Sequence, residues 1–301
     1  MALSRGFTPR FAMTIGGKTA GYVNSAKGGH MQAECSKLDP SSDNRQRKHI
    51  VGVKYTPFEI DIALGMSGDM CTWIQDTMDK RHSRQSGELV VADNDCCARQ
   101  ARVWHEALIT EVTFPALSGD AKDTAFLKVK FDPEWVEYQS RGGEDIKGIM
   151  ESSGKEFSGR NYSFLVDSMP TGRCTKVESF TFKQEIVENG YGEATHPEKL
   201  AGKPEIPDIS AEFAINTDNI NDWQAWAQDY IARGSSHESN NLTGAIEYRD
   251  SENSEAARVD LMGIGLQEMG FTEVKGGANA SFKVTCKFFV EDAKFSLGKI
   301  K

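Results

Sequence analysis

The stretch IGGKTAG (15–21) carries Gly17-Lys18-Thr19 at the end of a candidate strand, the residue types that cradle phosphate in nucleotide-binding loops. That chemistry needs a further glycine with four residues between it and Gly17, and Ala12 stands there. It also needs a helix N-terminus to converge amide donors, and the adjoining residues, AGYVNSA, have no helical pattern. The stretch therefore reads as a β-hairpin. The histidines (30, 49, 82, 105, 196 and 237) form no H-E-x-x-H and no i, i+4 pair that would face one metal. Asp93 with Asp95, and Glu144 with Asp145, have the types for acid–base work, but both lie in loop-like contexts where carboxylates close turns. There is no Gly-x-Ser-x-Gly elbow. The cysteines (35, 71, 96, 97, 174 and 286) include no C-x-x-C and match no zinc spacing, so free thiols in a reducing compartment are expected. No catalytic residue, cofactor site or metal site is nominated, and the chain is not expected to be an enzyme.

The tryptophans at 73 and 226 could stack on a sugar or a base. Their spacing gives them another task. Met70, Trp73, Ile74, Thr77 and Met78 fall at i, i+3, i+4, i+7 and i+8. Trp223, Trp226, Ala227, Tyr230 and Ile231 repeat the spacing 153 positions later. Each set is one apolar stripe at helical period. Trp73, Ile74, Met78, Trp226, Tyr230 and Ile231 are therefore expected to anchor two helices to sheets. Asp69 and Asp222 precede the stripes, where a carboxylate suits a helix start.

The flanking segments repeat too. Gly87 and Asp93 match Gly244 and Asp250, and Glu111, Val112 and Phe114 match Glu268, Met269 and Phe271, all offset by 157. Phe126 matches Phe282 at 156. Upstream, Phe11–Ile15 parallels Phe164–Ser168, and PFEIDIA (57–63) parallels SAEFAIN (210–216). A period near 150 is too long for a solenoid or a propeller blade. The expected organisation is a tandem duplication: a first domain at 1–145, a Gly/Ser-containing linker at 146–160 and a second domain at 161–301.

Each unit reads as strands, one helix, then more strands. Phe11–Ile15, Ala20–Ala26, His30–Ser36 and Phe58–Ala63 are candidate strands. The polar runs 38–50 and 188–204 read as long exposed loops. Ala101–Phe114 is apolar on both faces, so both are expected to meet protein. One helix cannot cover so many strands. The expected fold class is mainly β, with two tandem β-sandwich or barrel domains, each with one packed helix.

Charge and hydropathy bound the partners. The 301 residues carry a net charge of −9, divided as −1 over 1–150 and −8 over 151–301, which argues against a phosphate-gripping surface. No run approaches the ~20 apolar residues of a membrane span, and the first residues lack a signal-peptide core, so no membrane insertion and cytoplasmic synthesis are expected.

The order of FAMTIGGKTAGYVNSAKGGH (11–30), KHIVGVKYTPFEIDIALGMSGDMCTWI (48–74) and ALITEVTFPALSGDAKDTAFLKVKFDPE (107–134) resembles the tail tube proteins of contractile-tailed bacteriophages and phage-like contractile injection systems. GRCTKVESFTFKQEI (172–186), EKLAGKPEIPDISAEFAI (198–215) and GIGLQEMGFTEVKGG (263–277) carry the likeness a second time. The resemblance implies rings of six domains stacked into a hollow tube, with the long loop of each unit reaching the adjoining ring. Asp39, Asp43, Arg45, Arg47, Lys48, Glu193, His196 and Lys199 are the inter-ring candidates on that account. It implies self-assembly, no cofactor, and sheath, tape-measure and baseplate or spike proteins as partners, with DNA or a protein effector only as cargo in the lumen. The place implied is the bacterial cytoplasm during assembly, then a virion tail or injection particle. Most of the family carries one unit, so two units here imply three chains per six-domain ring. A tube-initiator or baseplate component is the alternative within the same machine. A monomeric β-sandwich binding carbohydrate or a host surface is the alternative outside it.

Overall fold

The structure, a computed structural model, describes residues 10–37, 46–121, 124–150, 157–190, 196–234, 241–271 and 282–298. The first half contains β1 (Arg10–Ile15), β2 (Lys18–Thr19), β3 (Val23–Lys27), β4 (Met31–Lys37), β5 (Lys48–Tyr55), β6 (Phe58–Ala63), α1 (Gly68–Met78), β7 (Gln85–Ala92), β8 (Ala98–Phe114), β9 (Leu117–Ser118), β10 (Phe126–Asp132), β11 (Trp135–Ser140) and α2 (Lys147–Met150). The second contains β12 (Tyr162–Val166), β13 (Cys174–Val177), β14 (Phe180–Asn189), β15 (Glu198–Glu205), β16 (Ile209–Ala214), α3 (Ile220–Ala227), β17 (Leu242–Arg249), β18 (Glu255–Phe271), β19 (Lys283–Phe289) and β20 (Asp292–Leu297). The fold is mainly β and antiparallel, as expected.

Strand order in the first half runs β1-β7-β8-β10-β6-β3, with β11 also on β8; in the second it runs β12-β17-β18-β19-β16-β13, with β20 also on β18. The long strands β8 and β18 have 17 residues each and serve two sheets. Their first parts pair with β7 and β11, or β17 and β20, and their last parts with β10, or β19. A positive φ at Glu106 (49°) and at the matching Gly263 (66°) bends each strand between its two sheets, as a bulge does. The bend also shifts which side chains face inward. This explains the apolar residues on both faces of the expected strand: Trp104 and Ala107 are buried on one arm, and Ile109, Val112 and Phe114 on the other.

Between the sheets of the first half, Phe131 packs on Phe58, Trp104 and Trp73 at ring separations of 5.0–5.2 Å. In the second half, Trp223 packs on Phe213 at 4.8 Å and Trp226 on Phe288 at 5.9 Å. Helix α1 starts at Ser67, whose hydroxyl accepts from the Met70 amide at 3.3 Å, so Asp69 lies in the first turn and the cap is the residue two before it. Trp73, Ile74 and Met78 are buried as expected. Helix α3 is shorter and widens into a π-helical turn at Gln228–Ala232. Trp226 is half-buried and Tyr230 buried, but Ile231 is 46% exposed and is no anchor in this chain. The cover that buries its counterpart Met78 comes from the other half of the molecule, and Ile231 has no such cover among the described residues.

The two polar runs are also corrected. The described part of 188–204, expected as a loop, is largely the arms of the β14–β15 hairpin, while of 38–50 only the start of β5 (48–50) is seen as strand and residues 38–45 lie outside the described residues. A polar ribbon buries too little of either face to show the alternation by which strands are recognised. At IGGKTAG, Gly16 and Gly17 take positive φ (57° and 81°) and close the β1–β2 hairpin, with Ile15 opposite Lys18.

Candidate assembly joint

The residues whose types suit chemistry are engaged in local structure. The Asp93 carboxylate accepts from the amides of Asp95 and Cys97, both at 3.0 Å, and from Arg99, whose hydrogen bonds hold it below its ordinary pKa. Asp145 accepts from the Lys147 amide at 2.9 Å. Burial pushes the thiols of Cys71 up to about 11 and of Cys174 and Cys286 up to about 12. Among the described residues no three His, Cys, Asp or Glu side chains gather as a metal site, and no helix is long and apolar enough to cross a membrane.

What the fold does bring together is the contact between the halves. The run β8–β9 of the first half lies antiparallel to β13–β14 of the second in one unbroken register. Glu111 faces Lys183, Val112 faces Phe182, Thr113 faces Thr181, Phe114 faces Phe180, Leu117 faces Val177 and Ser118 faces Lys176. The Thr113 and Thr181 hydroxyls are 2.9 Å apart. Alternation makes one side of this pairing dry: Phe114 stacks on Phe180 at 4.8 Å and lies 5.6 Å from Phe295 of β20. Helix α1 closes over the seam. Its Met78 lines one small apolar cavity with Phe114, Phe180, Phe182, Leu261 and Ala293, and the Leu297 backbone touches the Cys71 thiol. The helix expected to pin its own sheet thus also covers the sheet of the other half.

An ion cluster borders the seam. Arg84 reaches Glu134 of its own half at 3.5 Å and Glu198 across the joint at 3.2 Å, and donates to the Lys199 carbonyl at 2.7 Å. The Lys199 amide donates to Glu134 at 2.9 Å, and its buried ammonium lies 2.7 Å from Asp132. Burial outweighs that ammonium and holds the Asp132 carboxyl above its ordinary pKa. Lys80 on the far side pairs with Asp292 at 3.5 Å.

The inter-ring candidates separate accordingly. Lys199, expected on a loop, is a strand residue buried in this joint, where its ammonium is needed by Asp132. His196 sits beside the seam, stacked on Trp135 at 6.1 Å and edge-on to Tyr55 at 5.5 Å. Lys48 is exposed at the start of β5 and Arg47 is exposed just before it. Asp39, Asp43, Arg45 and Glu193 lie outside the described residues. Sequence reasoning missed Thr113, Phe180, Phe182 and Arg84. The signal available was that Phe180 and Phe182 alternate with polar residues, which marks a strand and says nothing of its partner.

No protein-family model and no curated protein matches the sequence. Among solved structures, the chain is similar to a chain of the anti-feeding prophage baseplate at 14% identity and TM-score 0.33, over 46% of this chain and 93% of that one. It is similar to a chain of the tube-terminating cap of the anti-feeding prophage at 11% identity and TM-score 0.35, over 45% and 89%. It is similar also to a chain of the sheath–tube complex of an extracellular contractile injection system, PVC, at 10% identity and TM-score 0.34, over 45% and 88%.

Proposed function

We propose that the chain is a non-enzymatic structural subunit that forms rings, three chains giving six like modules, and that these rings stack into or cap the hollow inner tube of a phage tail or contractile injection system. One observation carries the reading: two halves of the same strand order are joined by strand pairing into one paired surface. Among the described residues that surface ends in two open borders, β3 at one end and the last arm of β18 at the other. Open borders invite uncontrolled pairing, and a head-to-tail contact that closes into a ring removes them. The β4–β5 and β14–β15 hairpins then extend toward the adjoining ring from bases held at these joints. Sheath, tape-measure and baseplate or spike proteins are the expected partners, and DNA or an effector passes as cargo. Assembly takes place in the bacterial cytoplasm before incorporation into the particle.

Mass photometry and negative-stain class averages of the purified chain test this. Three-chain rings with six lobes are the expected result; a monodisperse monomer at high concentration refutes it. A second reading, a tube initiator or cap, is favoured by the unlike net charge of the halves, −1 over 1–150 and −8 over 151–301, which gives the ring threefold character suited to a trimeric hub. Capping of preformed tubes without polymerisation of the chain alone distinguishes it.

A further inference from the structure

The joint inside the chain specifies a second joint between chains. The sheets of the halves superpose residue by residue through their pairings. Val129 faces Val112 as Cys286 faces Met269, and Phe131 faces Ile109 as Phe288 faces Leu266, which fixes an offset of 157 after the helices. Lys183 faces Glu205 as Gln32 faces Lys54, and Glu188 faces Lys199 as Lys37 faces Lys48, which fixes 151 before them. On this map the internal seam has a twin at the two ends of the molecule. Phe114 corresponds to Phe271, Phe182 to Met31 and Phe295 to Tyr138. At the helix offset of 153, Met78 corresponds to Ile231.

The burial of these pairs is opposite. Phe114, Phe182, Phe295 and Met78 are at most 3% exposed, whereas Phe271, Met31, Tyr138 and Ile231 are each 40–46% exposed. Large apolar side chains exposed at these four positions, where their twins are covered, mark a surface awaiting the same cover. Two of them, Phe271 and Ile231, lie on the second half, and the other two on the first. One molecule cannot bring them together across its own joint, but the first half of a second copy can.

We propose that residues 29–32 of one copy pair antiparallel with 268–271 of its neighbour: Gln32 opposite Glu268, Met31 opposite Met269, His30 opposite Gly270 and Gly29 opposite Phe271. Ile231 of that neighbour then covers Met31 and Tyr138. This deepens the ring-forming reading and rests on it. Gly28 and Gly29, at φ 96° and 68°, turn the chain between β3 and β4 where the second half runs from Val177 to Phe180.

The two joints differ in charge. Asp132 corresponds to Phe289, Arg84 to Asn241, which donates to Glu291 at 2.8 Å as Arg84 pairs with Glu134, and buried Lys199 to exposed Lys48. The joint between chains therefore lacks the Asp132–Lys199 pair, keeps Arg47, Lys48 and Glu291 in the places of Glu198, Lys199 and Glu134, and is held chiefly by apolar contact and strand pairing.

The test uses the full chain with Cys35→Ser and Cys97→Ser, carrying Met31→Cys and Met269→Cys together, treated with a short bis-maleimide. Denaturing gels are expected to show covalent dimers and trimers, absent from each single variant and from a control pairing Leu165→Cys with Met269→Cys. Ile231→Asp, on an exposed side chain that the fold of one molecule does not need, is expected to raise the concentration of half-assembly at least about tenfold without changing the melting of the monomer. Rings that form without the cross-link, or that ignore Ile231→Asp, overturn the register and leave ring formation standing. A chain that stays monomeric at every concentration overturns both.

Discussion

Replacing Lys199 by Ala removes the buried ammonium from Asp132 and leaves the rest of the joint in place. At 2.7 Å the pair attracts by about 6 kcal/mol at an effective dielectric of about 20. Much of that offsets the desolvation of two charges, so the intact pair contributes little net stability. Its rupture is another matter, because the carboxylate stays buried without a counterion, at a cost of about 3–5 kcal/mol. The sign with pH is set by the direction of the Asp132 shift. Its native pKa lies above 3.8 because burial dominates, and removing Lys199 takes away the influence that opposes burial. Between the unfolded and native values the native state holds a proton that the unfolded chain has released. Stability therefore falls as pH rises through that window and recovers as pH is lowered through it. Urea titrations of Lys199→Ala and the parent at pH 7 and pH 5 are expected to show the large deficit at pH 7 and a smaller one at pH 5. The double variant Asp132→Asn/Lys199→Met is expected to regain most of the loss. A deficit under about 1 kcal/mol, or one independent of pH, refutes the assignment of Lys199 to a buried ion pair at the joint.

Thiol reactivity gives a second check. Cys71, raised to about 11, and Cys174 and Cys286, raised to about 12, remain protonated at pH 8 and are expected to resist an aromatic disulfide reagent in the native protein, while exposed Cys35 reacts first. Denaturant is expected to release the slow thiols. At the two matched helices, Trp73→Ala is expected to cost about 3–5 kcal/mol and Ile231→Ala at most about 0.5 kcal/mol in the monomer, read from urea midpoints.

The helices are legible in the sequence because a stripe at 3.6-residue period does not depend on what lies across from it, and Trp73, Ile74 and Met78 are buried accordingly. The strands match less well. The sequence aligns Phe11 with Phe164, yet Met13 facing Leu89 is the twin of Phe164 facing Ile246. The same slip of two residues affects PFEIDIA and SAEFAIN, since Phe58 facing Phe131 is the twin of Ile209 facing Phe288. A two-residue slip keeps every side chain on its face, so alternation alone cannot detect it; only the pairing partner fixes the register. The joint is hidden for the same reason. TFK at 181–183 reads as strand, and nothing local says that Thr113, nearly seventy residues earlier, is its neighbour.

The unequal joints explain what fusion contributes to the proposed ring. A covalent link holds β14 near β8 at an effective concentration that solution cannot match, so the internal seam forms with the fold of the chain. A joint made in that way tolerates a buried ion pair, because Asp132 and Lys199 are desolvated once, during folding. A joint made between separate chains has to recover lost translational and rotational freedom as well, and burying charge there would slow and weaken it. Phe289 in the place of Asp132 and Asn241 in the place of Arg84 fit that demand. Exchanging the characters is the informative experiment. Phe289→Asp together with Lys48→Met, which removes the twin of Lys199, places an unpartnered carboxylate at the seam between copies and is expected to abolish assembly, while the monomer, in which Phe289 is half-buried against Tyr230 and Lys48 is exposed, loses far less. Assembly that persists in this double variant would mean that the carboxylate is not buried on association, and the correspondence between the two joints would fail at that residue.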